Sequence, residues 1–388
     1  MPSMAAMEPS PEVAELRDRV RAFVDERVIP AEPQLDGGDR ELMRSLQEQA
    51  KEESLWALGL PGEIGGGGLG FMPYVFVNEV VGRSEHAMIA LGTHSAQDAT
   101  MLHLFGTDEQ KEEWLRPLVA GEIYPSIGMT EPEVAGSDPT GVQATAVLDG
   151  DEWVVNAHKW FTTGASMAAF PTVFAVTEPD APAHGRASMI IVPTDSPGYE
   201  IVREISTMGD TSGAHCEIRL TDVRVPAGNL LGPRGQAFKI AQARLGPGRI
   251  YHCMRWLGQA QRAFDLMCER ALAREAFGER LADKQTVQNW IADSAAEIQA
   301  ARLMTLDAAQ KIDSGDDARV EVALIKFFGA KVLHDVIDRA IQVHGALGVS
   351  GDTPLERMYR HARYARIYDG PDEVHRMSVA RRILRRYE

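Results

Sequence analysis

The sequence predicts a multi-domain α+β fold in which an N-terminal helical domain is followed by a middle β-barrel-like domain and a C-terminal four-helix bundle. Two changes of hydrophobic periodicity predict this order. Apolar residues recur three and four positions apart in the first part, at every second position in the middle, and three and four apart again from about Gly235. A chain of 388 residues is long enough to bury a sizeable core. The predicted domains are residues 1–122, 123–232 and 233–388.

The first part contains amphipathic helices that are separated by proline and glycine. Leu16, Val20 and Phe23 share one face of the first helix, and we expect Pro30 to end that helix because proline lacks an amide proton. The glycine-rich run GEIGGGGLG (62–70) is followed by Phe-Met-Pro, whereas a phosphate-binding P-loop needs Lys and Ser/Thr at this point. We therefore interpret the run as a connector.

The middle part alternates apolar and polar residues, which is typical of strands. Asp149 and Gly150 lie between two alternating runs, and Asp-Gly in this position is a strong signal for a β-hairpin. Four long segments of helical periodicity then predict the bundle. They cover residues 238–273, 287–312, 320–345 and 373–387.

The composition excludes several classes of protein. Lys and Arg total 40 against 56 Asp and Glu, a net charge of −16, so nucleic acid and anionic membrane surfaces are poor partners. The three cysteines show no Cys-x-x-Cys spacing, and no metal site or disulfide framework is expected. We find no signal peptide, no apolar run long enough to span a membrane, and no HExxH or GxSxG motif. We expect a soluble cytoplasmic protein.

Two segments of the middle part are candidates for a binding site. In SIGMTEPEVAGSDPT (126–140) a strand ends at Met129-Thr130, and Ser137 adds a second hydroxyl. In HKWFTTG (158–164) Trp160 lies two residues from Thr162, so both side chains would share one side of a regular strand. A flat ligand would use such an indole and hydroxyl. Taken singly, each segment also fits a capped turn or a core tryptophan.

Two segments of the last part add charged residues. In RLGPGRIYHCMR (244–255) Arg249 lies just inside a predicted helix start, where a positive charge is unfavourable unless an anionic partner is near. In RIYDGPDEVHR (366–376) Asp369-Gly370-Pro371 forms a turn that leads into the last helix. Taken alone, Asp369 also fits a helix cap.

Taken together, these segments resemble the flavin-dependent acyl-CoA dehydrogenases. MTEP with GSD, KWFTTG, GQAQRA, REAFG, IQVHGALGV and YDGPDEVHR occur in the order and spacing of that family, and GTDEQKEEWLRPLVAGE precedes them. The chain looks most similar to the subgroup that is fused to a kinase-like domain in animals. This is because the loop MTEPEVAGSD is one residue longer than the common form and the last motif reads DGPDEVH.

The resemblance implies a homotetramer or homodimer that holds FAD and oxidises the Cα–Cβ bond of an acyl-CoA, with hydride transfer from the β-carbon to flavin N5. Removal of a proton next to a thioester needs a base, and Asp369 matches the family's base position. The usual residue there is Glu, so this base is one methylene shorter. Some members carry the base at the position of Gly248, which has no side chain here.

The resemblance also implies binding residues. Met129 and Thr130 match positions that bond the pyrimidine edge of the flavin, and Trp160 and Thr162 match positions that cover its N5 side. Further FAD positions, several of them serving a neighbouring subunit, are matched by Ser137, Arg274, Phe277, Gln285, Gln342, Gly345, Ala346 and Glu373. Acyl-CoA positions are matched by Ser137, Arg249 and Gly370. Two departures are the extra residue before Ser137 and Pro371, which replaces the usual Thr.

Several alternatives stay open at this level. A flavin oxidase or monooxygenase on the same fold would react with oxygen, and a non-catalytic homologue would bind CoA or FAD without turnover. The retained carboxylate at Asp369 favours dehydrogenation. The family's usual electron acceptor is an electron-transfer flavoprotein, and fatty acid metabolism is its usual setting. The acyl chain length, its branching and the pathway are not predicted.

Overall fold

The computed structural model describes residues 7–208 and 215–388. It contains helices, then a sheet, then helices again, in the order that the sequence predicts. The helices before the sheet are α1 (Pro11–Phe23), α2 (Ile29–Asp36), α3 (Arg40–Glu52), α4 (Phe71–Val81), α5 (Ala87–Ala90), α6 (Ala96–Phe105), α7 (Asp108–Gln110) and α8 (Arg116–Ala120).

The first helix does not end at Pro30, so that prediction was wrong. Val24–Val28 form a π-helical turn that joins α1 directly to α2, and the chain stays helical to Asp36. Pro30 follows this turn at the start of α2, where the hydrogen-bonding pattern changes and a missing amide proton is tolerated. Val20, Val28 and Leu35 are buried along the combined helix.

The middle part is one mixed eight-stranded sheet. Its strands are β1 (Pro125–Gly128), β2 (Thr145–Asp149), β3 (Glu152–Thr163), β4 (Phe170–Val176), β5 (Ala187–Ile191), β6 (Tyr199–Glu204), β7 (His215–Pro226) and β8 (Leu230–Leu231). Their hydrogen-bonded order is β6-β7-β3-β2-β4-β5-β8, and β1 pairs in parallel with β4. Every residue of β4 and β5 is buried, so these two strands lie at the centre of the core.

The predicted hairpin is present between β2 and β3. Asp149 pairs with Glu152 at the end of the antiparallel ladder, and Gly150 takes the positive φ of 66° that such a tight turn requires. The loop is therefore Gly150-Asp151, one residue later than predicted. Along β3 every second residue is buried from Trp153 to Lys159, as expected for a strand with one face on the core.

The last part is a helical bundle. The helices are α9 (Ala237–Ala273), α10 (Gln285–Asp313), α11 (Arg319–His344), α12 (Leu355–Tyr364) and α13 (Asp372–Leu384), and a short hairpin of β9 (Glu275–Ala276) and β10 (Glu279–Arg280) follows α9. Four of these helices were predicted. The apolar periodicity did not predict α12, because this helix is short and only its residues Leu355, Met358 and Ala362 are buried.

Arg249 lies in the interior of α9, so its predicted position beside a helix start was wrong. The helix begins at Ala237 and continues through Pro247. The sequence Gly246-Pro247-Gly248 resembles a helix breaker, but the chain stays helical on both sides of the proline. The helix dipole therefore gives no reason to expect an anionic partner for Arg249.

Two glycines bring the first helices into direct contact with α9. A Cβ on Gly258 would lie 1.9 Å from the carbonyl oxygen of Glu79, and a Cβ on Gly82 would lie 2.2 Å from the carbonyl oxygen of Arg255. The backbones at the end of α4 and in α9 therefore touch at a point where no side chain fits.

Buried ion pairs reinforce this contact. Arg262 of α9 donates to both carboxylate oxygens of Glu32 at 2.7 and 2.8 Å, and Arg302 of α10 donates to Glu79 at 2.7 Å. Both arginines use the two-pronged geometry that suits a carboxylate. The N-terminal helices are thus fixed to the bundle by packing and by charge.

Along the described residues, 7–208 and 215–388, no helix combines the length and the apolar character that crossing a membrane would require.

Gly258→Ala is expected to lower the free energy of unfolding by about 1–3 kcal/mol, because the added methyl group forces α4 and α9 apart. Gly228→Ala is the control, since a Cβ at this position has nothing within 4 Å. It should be neutral or stabilise by about 0.4–1 kcal/mol, because alanine has less conformational entropy to lose on folding than glycine. Chemical denaturation measures both variants, and equal stabilities would contradict the proposed close contact.

Candidate active site

Lys159 anchors the segment that follows β1. Its ammonium nitrogen donates to the carbonyl of Met129 at 3.1 Å, to the carbonyl of Phe174 at 2.8 Å and to Oε1 of Glu131 at 2.7 Å. The side chains of Lys159 and Glu131 are 0% and 3% exposed. All three ammonium protons therefore have acceptors, as a buried charge requires.

Glu131 extends this anchor to the strand that follows. Its carboxylate also accepts from the backbone N–H groups of Gln143 at 2.8 Å and Ala144 at 2.9 Å. Burial lowers the pKa of Lys159 to about 8, although the neighbouring Glu131 carboxylate acts to raise that pKa. The segment from Met129 to Glu131 is thus fixed to three strands of the sheet.

Trp160 and Thr162 lie on an irregular part of β3. The pairing of β3 with β7 shifts register between Lys159 and Thr162, and Phe161 has a positive φ of 50°. Side chains therefore do not alternate regularly between the two faces of the strand from Trp160 to Thr162, and the prediction that these two share one side of a regular strand does not apply. The backbone N–H of Trp160 donates to the carbonyl of Thr130 at 3.1 Å, which holds this part of β3 beside the segment that contains Met129 and Thr130.

Two polar groups of β3 are buried without a hydrogen-bond partner among the described residues. They are the indole Nε1 of Trp160 and the hydroxyl of Thr162. Leaving such groups unsatisfied costs about 1–3 kcal/mol each, so they indicate a ligand with hydrogen-bonding groups. A planar heteroaromatic ring fits this pair, because it can stack on an indole and accept from a hydroxyl at its edge.

Asp369 lies in a turn with an unusual backbone. Asp369 and Gly370 both have positive φ angles, 54° and 101°, and a Cβ on Gly370 would lie 2.7 Å from Nε2 of His375. The N-cap of α13 is Pro371, so Asp369 is not the helix cap that its sequence position also allowed. A strained conformation of this kind persists only where its surroundings hold it in place.

Three cationic or imidazole groups hold this turn through its carbonyl oxygens. The carbonyl of Asp369 accepts from Nε of Arg249 and from Nε2 of His375, each at 3.1 Å. The ammonium of Lys326 donates to the carbonyl of Gly370 at 3.3 Å and to that of Ala365 at 2.8 Å. The predicted residues Arg249, Asp369 and Gly370 are therefore brought together.

Lys326 is fully buried among aromatic rings. Its ammonium lies 5.1 Å from the ring centroid of Trp256 and 5.2 Å from that of Tyr368, and the Trp256 indole N–H donates to the Tyr368 hydroxyl at 2.8 Å. Burial lowers the pKa of Lys326. Cation–π attraction offsets part of this cost.

The Asp369 carboxylate is surrounded by basic groups. Its Oδ2 lies 3.1 Å from Nε2 of His252. Burial acts to raise the pKa of Asp369, but the His252 imidazole and the guanidinium charges of Arg244 and Arg249 outweigh burial and hold this pKa below its ordinary value. The carboxylate is therefore ionised at neutral pH.

The position of Gly248 is filled by another residue. A Cβ on Gly248 would lie 2.1 Å from Nε2 of Gln97 on α6. No acid can be placed there without moving this side chain, and Asp369 stays the candidate base.

The remaining predicted binding residues are exposed in the single chain. Phe277 is 99% exposed at the β9–β10 hairpin. Exposed in this way are Ser137, Arg274, Phe277, Gln285, Gln342, Gly345, Ala346 and Glu373.

Sequence reasoning missed five residues that support the site: Glu131, Lys159, His252, Lys326 and His375. A signal existed for two of them. Lys159 occupies a core position in an alternating strand, and Lys326 lies between apolar residues in the predicted helix 320–345. A lysine in such a position needs acceptors nearby. Glu131 and His252 depend on contacts between segments far apart in sequence, and the contact of His375 with Asp369 depends on the backbone of the turn before α13.

Three family models match successive parts of the chain. They are described as the N-terminal, middle and C-terminal domains of acyl-CoA dehydrogenase, and they match residues 10–122, 126–223 and 235–384.

Curated relatives match nearly the whole chain. The probable acyl-CoA dehydrogenase FadE2 of Mycobacterium tuberculosis is 46% identical, and the match covers 97% of this chain and 96% of the relative. Acyl-CoA dehydrogenase family member 11 of Rattus norvegicus is 40% identical over 95% of this chain. The match covers 50% of the rat protein, so the chain spans about half of this relative.

Solved structures share the fold. A putative acyl-CoA dehydrogenase from Mycobacterium abscessus superposes with a TM-score of 0.93 at 38% identity, covering 98% of this chain and 100% of that chain. An acyl-CoA dehydrogenase from Bacillus anthracis, solved in complex with FAD, gives a TM-score of 0.84 at 28% identity and covers 97% of this chain and 67% of that chain.

Lys159→Met is expected to lower the free energy of unfolding by about 3–5 kcal/mol, because it leaves the Glu131 carboxylate buried without its charge partner. Arg116→Met is the control, since the Arg116–Glu112 pair is 61% and 66% exposed and such pairs contribute about 1 kcal/mol or less. Chemical denaturation of both variants tests this, and equal losses would contradict the anchoring role of Lys159.

Stability is expected to fall as the pH is lowered from about 6.5 to 4. Burial and the positive charge of Arg249 lower the pKa of His375 to about 4, whereas an unfolded chain protonates histidine near pH 6.5. The unfolded state therefore takes up a proton in this range that the folded state resists. The free energy of unfolding of His375→Gln should decline less over this range than that of the unsubstituted protein. Parallel declines would argue against a neutral, buried His375.

Proposed function

Because this chain belongs to the acyl-CoA dehydrogenase family, we propose that Asp369 is the base that removes the α-proton when the protein oxidises the Cα–Cβ bond of an acyl-CoA. One observation carries this proposal. The Asp369 carboxylate lies on a strained turn that is held by Arg249, Lys326 and His375 through the backbone alone. These three contacts use no carboxylate oxygen of Asp369, and Oδ1 stays available for a substrate.

The protonation state of Asp369 supports this role. A general base must be ionised before it accepts a proton, and the lowered pKa of Asp369 satisfies this condition. A thioester and acyl chain that displace water from the carboxylate would raise its pKa and make it a stronger base. In the step itself the α-C–H bond breaks, an O–H bond forms on Asp369, and the electron pair stays with the substrate.

The residues at the irregular part of β3 fit the cofactor of this family, which is FAD. The unsatisfied Nε1 of Trp160 and hydroxyl of Thr162, together with Met129 and Thr130, would hold its flavin ring. When bound, FAD supplies the acceptor for the hydride that leaves the β-carbon of the substrate. Lys159 and Glu131 keep these contact residues in place.

The exposed residues fit a cofactor site completed by another subunit. We propose a homotetramer or homodimer, because Phe277 is 99% exposed and an aromatic side chain in this state suits a protein contact. The FAD contacts proposed at this boundary are Arg274, Phe277, Gln285, Gln342, Gly345, Ala346 and Glu373. An electron-transfer flavoprotein is the proposed electron acceptor, within fatty acid metabolism in the cytoplasm.

The substrate side of the site is proposed to include Ser137, Arg249 and Gly370. Arg249 contacts the carbonyl of Asp369 rather than its carboxylate, so its first task is to fix the turn. Ser137 is exposed on the longer loop. The shorter base, Asp in place of Glu, requires the α-carbon to approach the turn by about one methylene more closely.

Asp369→Asn is expected to keep bound FAD and to lose flavin reduction by about 10²–10⁴-fold, because the amide cannot accept the α-proton. The assay is anaerobic absorbance titration with butyryl-, octanoyl-, palmitoyl- and isobutyryl-CoA, in which reduction bleaches the oxidised flavin band. Asp369→Glu, which restores the family's usual residue, is the control and should retain activity.

Different outcomes separate the alternatives. Bleaching of Asp369→Asn at the rate of the unsubstituted protein would remove Asp369 as the base. A flavin that no acyl-CoA bleaches would favour a non-catalytic homologue or an unusual substrate. Rapid reoxidation by oxygen after bleaching would favour an oxidase.

A further inference from the structure

The imidazole of His252 lies against the Asp369 carboxylate, and the proposed proton transfer from the substrate to Asp369 does not yet use it. It extends from α9, and its Nε2 lies 3.1 Å from Oδ2 of Asp369. The two side chains are 20% and 17% exposed. Among the described residues Oδ2 has no aligned hydrogen bond, so the ring touches this oxygen without yet donating to it in good geometry.

The contacts of His252 determine where its proton lies. A guanidinium nitrogen of Arg255 lies 2.9 Å from Nδ1 of His252. Because a guanidinium group only donates hydrogen bonds, Nδ1 accepts and carries no proton. The proton of the neutral ring is therefore on Nε2, the nitrogen that faces Asp369.

Aromatic rings fix the orientation of His252. Its ring is stacked on Trp256 at an interplanar angle of 24° and meets Tyr368 edge-on with the centroids 5.0 Å apart. Tyr368 directly precedes Asp369 in the chain. The imidazole on α9 therefore packs against the same turn that carries Asp369.

The charges around the pair favour a neutral imidazole. Burial lowers the pKa of His252, as do the charges of Arg255 and Lys326, whereas the Asp369 carboxylate raises it. The net direction is downward. The titratable and charged groups that face the pair are Arg244, Arg249, Cys253 and Arg255 from α9, Lys326 from α11, Tyr368 and His375 from the turn and α13, and Tyr74 and Asp98 from the N-terminal helices.

We propose that His252 is a positioning residue for the base: its Nε2–H binds Oδ2 of Asp369 and leaves Oδ1 to take the proton from the substrate. This rests on the proposed function of Asp369. In the step the α-C–H bond breaks and an Oδ1–H bond forms, while His252 keeps its proton because Arg255 occupies Nδ1. The hydrogen bond aligns when the substrate fills the site, as catalytic contacts often do.

This arrangement adapts the site to a short base. Aspartate has one side-chain torsion fewer than glutamate, so the direction of its carboxylate is set mainly by the turn and by what binds its second oxygen. A neutral donor provides that binding without placing another positive charge beside the base. It also favours the ionised form and so keeps the pKa of Asp369 low.

The test compares His252→Leu, which removes the donor, with His252→Gln, whose side-chain amide places an N–H near the position of Nε2. The measurement is the rate of anaerobic flavin reduction of the holoenzyme by octanoyl-CoA, or by whichever acyl-CoA of the panel bleaches the unsubstituted protein, across a pH series. The rate of His252→Leu should fall on the order of tenfold, since one hydrogen bond to a charged group is lost.

The pH profile distinguishes positioning from general damage. Loss of the donor raises the pKa of Asp369. The acidic limb of the pH–rate profile, where the rate falls as Asp369 is protonated, should therefore move to higher pH in His252→Leu. His252→Gln should return the limb and the rate toward their original values. His103→Leu, the same change at a helical histidine beside Glu63, should leave both unchanged. An unmoved limb in His252→Leu, or no rescue by His252→Gln, would overturn the proposal.

A second measurement does not depend on turnover. In ¹⁵N-histidine-labelled holoenzyme, the resonance pair that disappears in His252→Gln should show a neutral ring with the proton on Nε2. A proton on Nδ1, or a charged ring at neutral pH, would contradict the proposal whatever the kinetics of the variants. If no acyl-CoA bleaches the unsubstituted protein, the proposed function fails, whereas bleaching with normal His252→Leu kinetics removes only the inference about His252.

Discussion

The hydrogen bonds from the buried Lys326 ammonium to the carbonyls of Ala365 and Gly370 are the constraint on which the site depends. A buried cation without acceptors destabilises the folded state. Movement of the Asp369 turn would take these carbonyls away from Lys326 and is therefore unfavourable. A second buried lysine has the same role at the candidate flavin-binding segment. Lys159 donates to the carbonyls of Met129 and Phe174 and to the carboxylate of Glu131. Buried lysines thus fix both the candidate base and the candidate flavin-binding segment.

The distribution of charge explains how an acidic protein presents an ionised carboxylate at the candidate base. The chain has a net charge of −16, yet His252, Arg244 and Arg249 lower the pKa of Asp369. The positive groups are inside and the excess negative charge is distributed elsewhere. Such a local field stabilises negative charge that develops during removal of an α-proton. It arises from side chains of α9, the helix that also contacts the N-terminal helices through Gly258.

The fold could largely be predicted because periodicity is local information. The four long helices and the β2–β3 hairpin were all visible in the pattern of apolar residues. The errors at Pro30 and Arg249 share one cause: proline was interpreted as a helix end, whereas Pro30 follows a π-turn in a continuous helical segment and Pro247 lies inside α9. The resemblance proposed the motif residues Met129, Thr130, Trp160, Thr162, Arg249, Asp369 and Gly370. Their supports, above all His252, were not proposed, because tertiary contacts bring them together.

The account is tested most directly by a structure of the Asp369→Asn variant with FAD and an acyl-CoA bound. We expect the α-carbon of the substrate to lie about 3–3.5 Å from the side chain at position 369, the separation of a reactive complex. We also expect the flavin to contact Trp160 and Thr162. An α-carbon that faces a different carboxylate, or a thioester bound away from the turn at 368–371, would contradict the central claim.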